Sequence, residues 1–494
     1  MAKEELNQIR QKATRRKISL SRVILAILGL LFALLVLKIV LIITAKPTIS
    51  VDYVDAFNQL SKPANYDPNQ NAAPYYKKAL DIFWELPEEA KPYQYIWPGD
   101  MNDIELRTIS RWLELNSDVL KCLEEAAQKP YCWIEKSVGG YWIARVYEEE
   151  LPMWETTVDL NKLRRIGSFF RSQVRIAINQ GLTESALIRL VELYRMGSHF
   201  GVAKIPVEQI FGMDWQRDTI DLAFIILDKQ QINAIMLRNF QKQLEYEFHQ
   251  NKKALDFQAE KLFLYDVIQR VFTDNGKGNG NLIPGQAFRI IKPQIIMGIS
   301  MSEVEWIRME QCRYVYLIWL ALTGADRRKT VESVDDFFAY IETLKHKTPW
   351  QLKREGIESD DQISKIVKGY VIEEGVPAVY RVIERCQRLR ARESALMTTI
   401  AILNYKADEG SFPETLEQLI LSGHLKELPM DPYSDKPLVY KLTGENFILY
   451  SVGADFDDDG GVSSKWGEEQ QGGDQIFWPV EHVKKKPNIG HKQL

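Results

Sequence analysis

The chain has 494 residues, with 63 lysines and arginines against 67 aspartates and glutamates, and 11% of its residues are aromatic. This length is too great for one simple core, so two or three folded domains are expected. Residues 1–45 carry a charge of +6 and the remainder −10. A mildly acidic main body argues against a nucleic-acid partner.

The first predicted element is an uncleaved transmembrane helix at residues 23–44. Val23–Leu37 is unbroken apolar sequence and Ile39–Ile43 continues it after Lys38, which gives about 20 residues, enough to cross a bilayer. Lysine and arginine are concentrated in residues 1–22, and flanks of this kind stay in the cytoplasm. The predicted location is the inner (cytoplasmic) membrane of a double-membraned bacterium, with a cytoplasmic basic tail, one crossing and a periplasmic bulk.

A cleaved signal peptide is the alternative interpretation of the same apolar segment. The run is longer than the apolar region of a typical signal peptide, and Ile43-Thr-Ala45 is a poor cleavage site. Lys38 lies near the outer end of the segment, where a lysine can extend its amine to the membrane surface. These features favour the uncleaved anchor.

Residues 46–390 are predicted to form an extracytoplasmic helical domain. After an extended segment at 46–70, apolar residues recur at three- and four-residue spacing in several windows, as at Leu163 and Ile166. Short turn sequences such as Asn179-Gln-Gly181 separate these windows, which indicates antiparallel helix pairs. The predicted fold class is therefore mainly α, as a helical bundle or an irregular α-solenoid.

The four cysteines exclude a thiol redox motif and a zinc ribbon, because no C-x-x-C pair is present. Cys122 and Cys132 are close enough in sequence to form a disulfide in an oxidising compartment. Cys312 and Cys386 lie in helical segments and are expected to be buried, as free cysteines commonly are.

The C-terminal part changes character, and residues 391–480 are predicted to form a small α+β domain. Ala391–Asp408 has the apolar spacing of one amphipathic helix, and Thr415–Leu421 of a short second one. Two strands follow, at Leu438–Leu442 and Phe447–Ser451, joined as a hairpin. The remaining residues, 481–494, are expected to be a disordered basic tail.

An acidic loop follows the second predicted strand. It places Asp455, Asp457 and Asp459 at alternate positions and ends in Gly460. Carboxylates in this spacing can surround one hard cation, because the glycine permits the turn that points the oxygens inward. The loop is not an EF-hand, since its twelfth position is Trp466. The spacing predicts a structural calcium site, and a solvated acidic turn without metal is the alternative.

Residues 391–478 resemble the C-terminal domain of the type II secretion major pseudopilin. The resemblance is carried by four pieces in order: Tyr405-Lys-Ala-Asp-Glu-Gly-Ser-Phe-Pro413, Leu428-Pro-Met-Asp-Pro-Tyr433, Leu449-Tyr-Ser-Val-Gly-Ala-Asp455, and Asp474-Gln-Ile476 with Trp478. In that family the loop binds calcium, which stabilises the subunit. The resemblance implies Asp455 and Asp474 as side-chain ligands, and the alternate spacing adds Asp457 and Asp459.

The membrane segment departs from the same family, because it has no short basic leader, processing glycine and Phe-x-x-x-Glu start. An ordinary fibre subunit is therefore disfavoured. We expect a pseudopilin-like domain joined to a separately anchored helical body.

The expected function is that of a single-pass, membrane-anchored periplasmic protein, more a binding or assembly protein of the cell envelope than an enzyme. Envelope or secretion-system proteins are the expected partners. No H-E-x-x-H, G-x-S-x-G, Walker or dinucleotide-binding motif is present in the sequence. Glu245 and His249, four residues apart, are expected to be an ordinary surface pair.

Two alternatives remain open. One is an envelope hydrolase with its cleft in the helical body near Gly139–Trp154. The other is an atypical component of a type II secretion or pilus-like system.

Overall fold

The structure of the protein is a computed structural model that describes residues 2–136, 160–201, 204–230, 232–250, 255–290, 303–324, 326–364, 379–463 and 472–480. The predicted tail at 481–494 and the hydrolase cleft proposed near Gly139–Trp154 lie outside these residues. The chain is mainly helical with a few short antiparallel strands, which confirms the predicted fold class at this level.

In chain order, the α-helices of the described residues are α1 (Ala2–Thr44), α2 (Tyr53–Ser61), α3 (Ala73–Ile82), α4 (Asp103–Leu115), α5 (Ser117–Ala127), α6 (Leu160–Asn179), α7 (Thr183–Gly201), α8 (Pro206–Lys229), α9 (Ala234–Gln250), α10 (Gln258–Val271), α11 (Pro284–Ile290), α12 (Glu303–Thr323), α13 (Arg327–Leu344), α14 (Pro349–Arg354), α15 (Asp360–Ser364), α16 (Val379–Glu409) and α17 (Leu416–Leu421). Short 3-10 helices lie at Pro68–Gln70, Glu88–Tyr95 and Pro98–Asp100.

The chain divides into two compact units. The first comprises Met1–Tyr53, Phe263–Asp336 and Val367–Val376, and the second Val54–Leu262, Phe337–Ile366 and Pro377–Leu494. The second unit therefore contains helices from the predicted helical body together with the predicted α+β segment.

The first unit contains α1, whose C-terminal part, Ser21–Thr44, is 24 residues long and apolar. Its side chains are almost all exposed; Ile42 is a buried exception. Length and composition suit a membrane span, and a signal sequence meets the same criterion. The N-terminal apolar helix is thus confirmed as an element, whereas its orientation and its membrane remain predictions.

The second unit has a core in which α6, α7 and α8 pack against one another. The inward residues of α6 and α7 follow the predicted helical period, with Leu163, Ile166 and Leu190 fully buried. Phe200 and Trp215 are stacked with ring centroids 6.1 Å apart. The residues that recur at helical spacing in this part of the sequence therefore form the hydrophobic core.

His199 in α7 is a buried structural residue of the second unit. Its Nδ1 lies 2.8 Å from the hydroxyl of Tyr76, and its Nε2 lies 2.8 Å from the carbonyl oxygen of Lys129. A neutral ring fits both partners, with Nε2 donating to the carbonyl and Nδ1 accepting from the tyrosine. Burial lowers the pKa of His199 to about 4, so the imidazole stays neutral at ordinary pH.

In the C-terminal part of the second unit, the described residues form five short strands, all antiparallel. They are β1 (Met430–Asp431), β2 (Lys436–Pro437), β3 (Val439–Thr443), β4 (Asn446–Ser451) and β5 (Gln475–Trp478). β1 pairs with β2, and the other three form a sheet in the order β3-β4-β5. The predicted hairpin is confirmed, since Val439 pairs with Tyr450 and Thr443 with Asn446.

The long C-terminal helix begins earlier than the sequence predicted. The expected start was Ala391, but α16 begins at Val379, so the predicted domain boundary between 390 and 391 falls inside a helix. The earlier turns are helical because Val382, Ile383 and Cys386 are buried and continue the same apolar period.

The cysteines differ from expectation at one position. Cys386 is buried as predicted, whereas Cys312 is exposed, so that part of the prediction is wrong. Cys122 and Cys132 are both free thiols in this structure.

Candidate metal site in the acidic loop

The acidic loop, Asp455–Gly461, leaves the end of β4 in the second unit, and Asp474 lies directly before β5. The two ends of this region approach closely at Gly453. A Cβ atom there would lie 2.7 Å from the carbonyl oxygen of Gly473, and the φ of Gly453 is +80°. Only glycine fits this position without strain, and the contact brings Asp474 beside the acidic loop.

Asp474 is hydrogen-bonded to the backbone of the acidic loop. Its side chain is fully buried, and its carboxylate accepts hydrogen bonds from the backbone N–H groups of Gly461, at 2.6 Å, and Asp459, at 3.4 Å. Burial raises the pKa of Asp474, and these two N–H groups partly offset the rise. Asp474 therefore holds the shape of the loop through its backbone.

Asp455 performs the matching role at the start of the loop. One carboxylate oxygen accepts from the backbone N–H of Gly473 at 2.7 Å, and the other from that of Asp457 at 3.3 Å. The two positions implied by the resemblance, Asp455 and Asp474, thus tie the loop to the segment before β5 from opposite ends.

Asp457 and Asp459, the positions added by spacing, lie in the same loop and are exposed. Desolvation raises the pKa of Asp459, and the neighbouring charges of Asp455 and Asp457 raise it further. The three alternate carboxylates are therefore close enough for their charges to oppose one another.

The chemistry of the donor groups suits a metal ion, whereas their arrangement in this structure does not. The side chains are all carboxylates, the oxygen ligands that calcium prefers, and a cation would offset the repulsion around Asp459. However, in the part of the chain that the structure describes, no three carboxylate, imidazole or thiol groups are arranged to hold one metal ion. The four predicted residues lie in and beside one loop, and the oxygens of Asp455 and Asp474 accept from backbone N–H groups.

Two aspartates with clear structural roles were missed by the sequence reasoning. Asp458 accepts from the hydroxyl of Tyr450 at 2.8 Å and from the backbone N–H of Gly460 at 3.0 Å, and the tyrosine hydrogen bond lowers its pKa. Asp431 is fully buried at the β1 turn. The available signal for Asp431 is its place in Leu428-Pro-Met-Asp-Pro-Tyr433, one of the four pieces that carry the resemblance.

No protein-family profile, characterised protein or solved structure matches this chain. The relation of residues 391–478 to pseudopilins therefore depends on the sequence motifs alone.

A cleft of about 760 Å³ lies elsewhere in the second unit, between α9, α16 and residues 423–430. Glu245 and His249 both line it. Glu245 accepts from the side-chain amide of Gln241 at 3.2 Å and lies 3.9 Å from the amine of Lys426. In the described residues, the Glu245 carboxylate is therefore engaged with Gln241 and Lys426, which does not match a metal site shared with His249.

Ser422, His424 and Asp408, near the same cleft, have the composition of a hydrolase triad. His424 Nδ1 lies 2.7 Å from the Ser422 hydroxyl, and Nε2 lies 3.1 Å from Asp408. The hydroxyl also donates to the carbonyl oxygen of Gln418 at 2.8 Å, four residues earlier. That bond caps the end of α17 and directs the hydroxyl proton away from the imidazole, so the group is better explained as a helix terminus held to α16.

Proposed function

We propose that this chain is a single-pass protein of the inner membrane that projects a helical binding or assembly body into the periplasm. The observation that carries the proposal is the exposed, apolar helix at Ser21–Thr44, since an apolar surface of this length in water is strongly unfavourable. The basic residues before it favour a cytoplasmic N-terminus.

The C-terminal segment supports the extracytoplasmic side of this proposal. Its pseudopilin-like motifs and its acidic loop are expected in a compartment where weak calcium sites, with dissociation constants of roughly 10⁻⁴–10⁻³ M, are filled. In this proposal Asp455, Asp457, Asp459 and Asp474 hold a structural calcium ion. The ion would neutralise the carboxylates and stabilise the closing loop.

Envelope or secretion-system proteins are the proposed partners, and no enzymatic step is proposed. The pseudopilin-like motifs favour one second candidate, an atypical component of a type II secretion or pilus-like system. Such a component would be processed at its N-terminus. Intact-mass measurement of the membrane-extracted protein distinguishes the candidates, because the anchored protein keeps the whole of residues 1–44.

The membrane proposal predicts that the full chain stays in the membrane pellet after alkaline carbonate extraction. Replacing both Leu31 and Leu34 with arginine should release most of the protein, because each central arginine costs about 2.5–3.5 kcal/mol of insertion free energy. Leu421→Arg is the matched control, since Leu421 is an 87% exposed leucine of the second unit. Release of the unmodified chain by carbonate would contradict the proposal, and loss of residues 1–44 would favour the signal peptide.

The calcium proposal predicts that about 5 mM calcium stabilises the full chain by about 1–2 kcal/mol relative to chelator, as expected for a weak site. Asp457→Asn and Asp459→Asn should abolish most of this difference. The control is Asp118→Asn, which removes an exposed carboxylate on α5. Thermal melting in detergent, with and without calcium, gives the measurement, and equal shifts with magnesium would indicate a non-specific ion effect.

Terbium provides a direct probe of the same site. It replaces calcium at oxygen sites, and its emission is excited through nearby tyrosine. Tyr450 donates to Asp458 inside the loop, so bound terbium should emit on tyrosine excitation, and calcium should displace it. Emission that persists in Asp457→Asn/Asp459→Asn would place the ion elsewhere.

A further inference from the structure

In the first unit, the described side chains of α12, residues 312–323, divide into two faces. Arg313, Leu317 and Ala321 recur every four residues and are buried. Arg313 donates to the carbonyl oxygen of Phe288 at 2.7 Å, and its guanidinium lies 4.2 Å from the centroid of that ring. This face is therefore buried, and Arg313 packs on α11.

The opposite face is largely apolar and exposed. It comprises Cys312, Val315, Tyr316 and Trp319 and is termed the outer face of α12. Cys312 is exposed, and the exposed fractions of the other three are 66%, 43% and 55%. A largely apolar exposed side is not typical of a water-facing helix, whose exposed side is usually polar.

The helix that carries the outer face contacts the candidate membrane helix. α1 and α12 belong to the same compact unit and contact each other. Lys38 of α1 donates through its amine to the carbonyl oxygen of Leu322 at 3.0 Å. Lys38 lies six residues before Thr44, which is about 9 Å along a helix. The C-terminal end of α12 is thus level with the outer part of the apolar span.

This hydrogen bond accounts for a charged residue inside an apolar run. A lysine is costly in hydrocarbon unless it is paired or reaches the interface. The carbonyl groups in the last turn of a helix lack intrahelical partners, and a cation there is favourable. The Lys38 amine therefore has a hydrogen-bond acceptor, and the Leu322 carbonyl group at the end of α12 has a donor, at the same level of the apolar span.

We propose that the outer face of α12 lies in the periplasmic interface of the membrane that α1 crosses. The proposal rests on the membrane anchoring proposed above. Tyrosine and tryptophan prefer this depth, where their rings meet both lipid and headgroups, and Tyr316 and Trp319 are stacked with centroids 5.8 Å apart. The occupant of the face is lipid, because α12 contacts α1 at the level that Lys38 fixes and presents its exposed aromatic rings there.

Cys312 gives a direct test of this placement. Its exposed thiol should be labelled with an environment-sensitive fluorophore in the full chain, reconstituted in vesicles of phosphatidylcholine and phosphatidylglycerol. Peptide mapping verifies the labelled residue. Two comparison sites are made with Cys312→Ser: Leu31→Cys in the middle of the span and Lys329→Cys, an exposed position on α13 in the first unit.

Quenching by lipid-borne nitroxide and by aqueous iodide then locates each site. We expect Cys312 to be quenched by shallow nitroxide at least twofold more than the Lys329→Cys site, and by iodide severalfold less. Iodide quenching of Cys312 equal to that at Lys329→Cys, with Leu31→Cys in lipid, would overturn the interfacial placement and leave the anchor standing. Water exposure at Leu31→Cys would overturn both.

A second variant separates membrane contact from a structural role. Trp319→Asp places a charge on the outer face and should move the Cys312 label towards iodide, while the Leu31→Cys site is unchanged. Lys329→Asp is the matched control and should move neither label. Efficient disulfide cross-linking between two copies at Cys312, with little lipid quenching, would assign the face to a second copy of the chain and overturn the proposal.

Discussion

Replacing Lys136 with methionine is expected to lower the free energy of unfolding of the second unit by about 3–5 kcal/mol, the usual cost of breaking a buried ion pair on one side. The amine of Lys136 lies 2.7 Å from a carboxylate oxygen of Glu208, and the two side chains are only 4% and 11% exposed. Without the lysine, Glu208 keeps its charge in a buried place and has lost its partner.

The double substitution Lys136→Met/Glu208→Met should recover most of that loss, because a well-packed apolar pair often replaces a buried ion pair without net cost. The measurement is urea unfolding of the detergent-solubilised chain for both single variants and the double variant. Lys121→Met is the control, since Lys121 pairs with Asp118 where both side chains are largely exposed, and it should leave the midpoint unchanged. Additive losses in the double variant would contradict a coupled pair.

This pair shows where sequence reasoning ends. The helices of the second unit were predictable because apolar spacing is a local property of the chain, and Leu163 and Ile166 are indeed buried. Lys136 and Glu208 are 72 residues apart, and each looks like an ordinary surface charge in its own segment. Only the tertiary fold brings them together, so neither spacing nor composition indicates the pair.

The acidic loop was likewise predictable only in part from the sequence. Alternate spacing placed Asp455, Asp457 and Asp459 in one loop, which is again a local property. Asp474 required the resemblance, because the segment joining it to the loop carries no spacing signal. The backbone N–H groups that these carboxylates accept from, such as those of Gly461 and Gly473, are fixed by the fold and are not visible in the sequence.

The expectation for Cys312 failed for a related reason. Apolar helical sequence was interpreted as core, but a helix that is apolar on all sides is equally suited to face lipid. The distinction depends on which neighbours cover each side; Arg313 packs on α11, whereas Cys312 is exposed. The exposure of Cys312 is therefore a property of the folded structure that the neighbouring sequence does not predict.

Replacing Asp431 with alanine should also cost about 3–5 kcal/mol, because it leaves several buried donors without an acceptor. One oxygen accepts from the Tyr433 N–H at 3.0 Å and the Ser451 hydroxyl at 2.7 Å. The other accepts from the Val452 N–H at 3.0 Å and the Ser434 hydroxyl at 3.3 Å. Asp431 thus joins the β1 turn to the end of β4, directly before the acidic loop.

Asparagine at position 431 should be nearly as damaging as alanine, because its amide nitrogen would face donors where only acceptor oxygens fit. This holds even though burial raises the pKa of Asp431, since a protonated carboxyl keeps more acceptor capacity than an amide. Glu427→Ala, an exposed change in the preceding segment, is the control and should have little effect on thermal melting in detergent. A melting temperature of Asp431→Asn equal to that of the parent would show that the four contacts are dispensable.

Calcium separates the role of Asp431 from that of the acidic loop. The loss in Asp431→Ala should be present in chelator as well as in calcium, because the donors around position 431 are buried in either condition. The loss in Asp459→Asn should appear only when calcium is present, since Asp459 is exposed and contributes through the ion. If both variants lost stability equally in chelator, Asp459 would belong to the packed framework of the domain, and the calcium site would need other ligands.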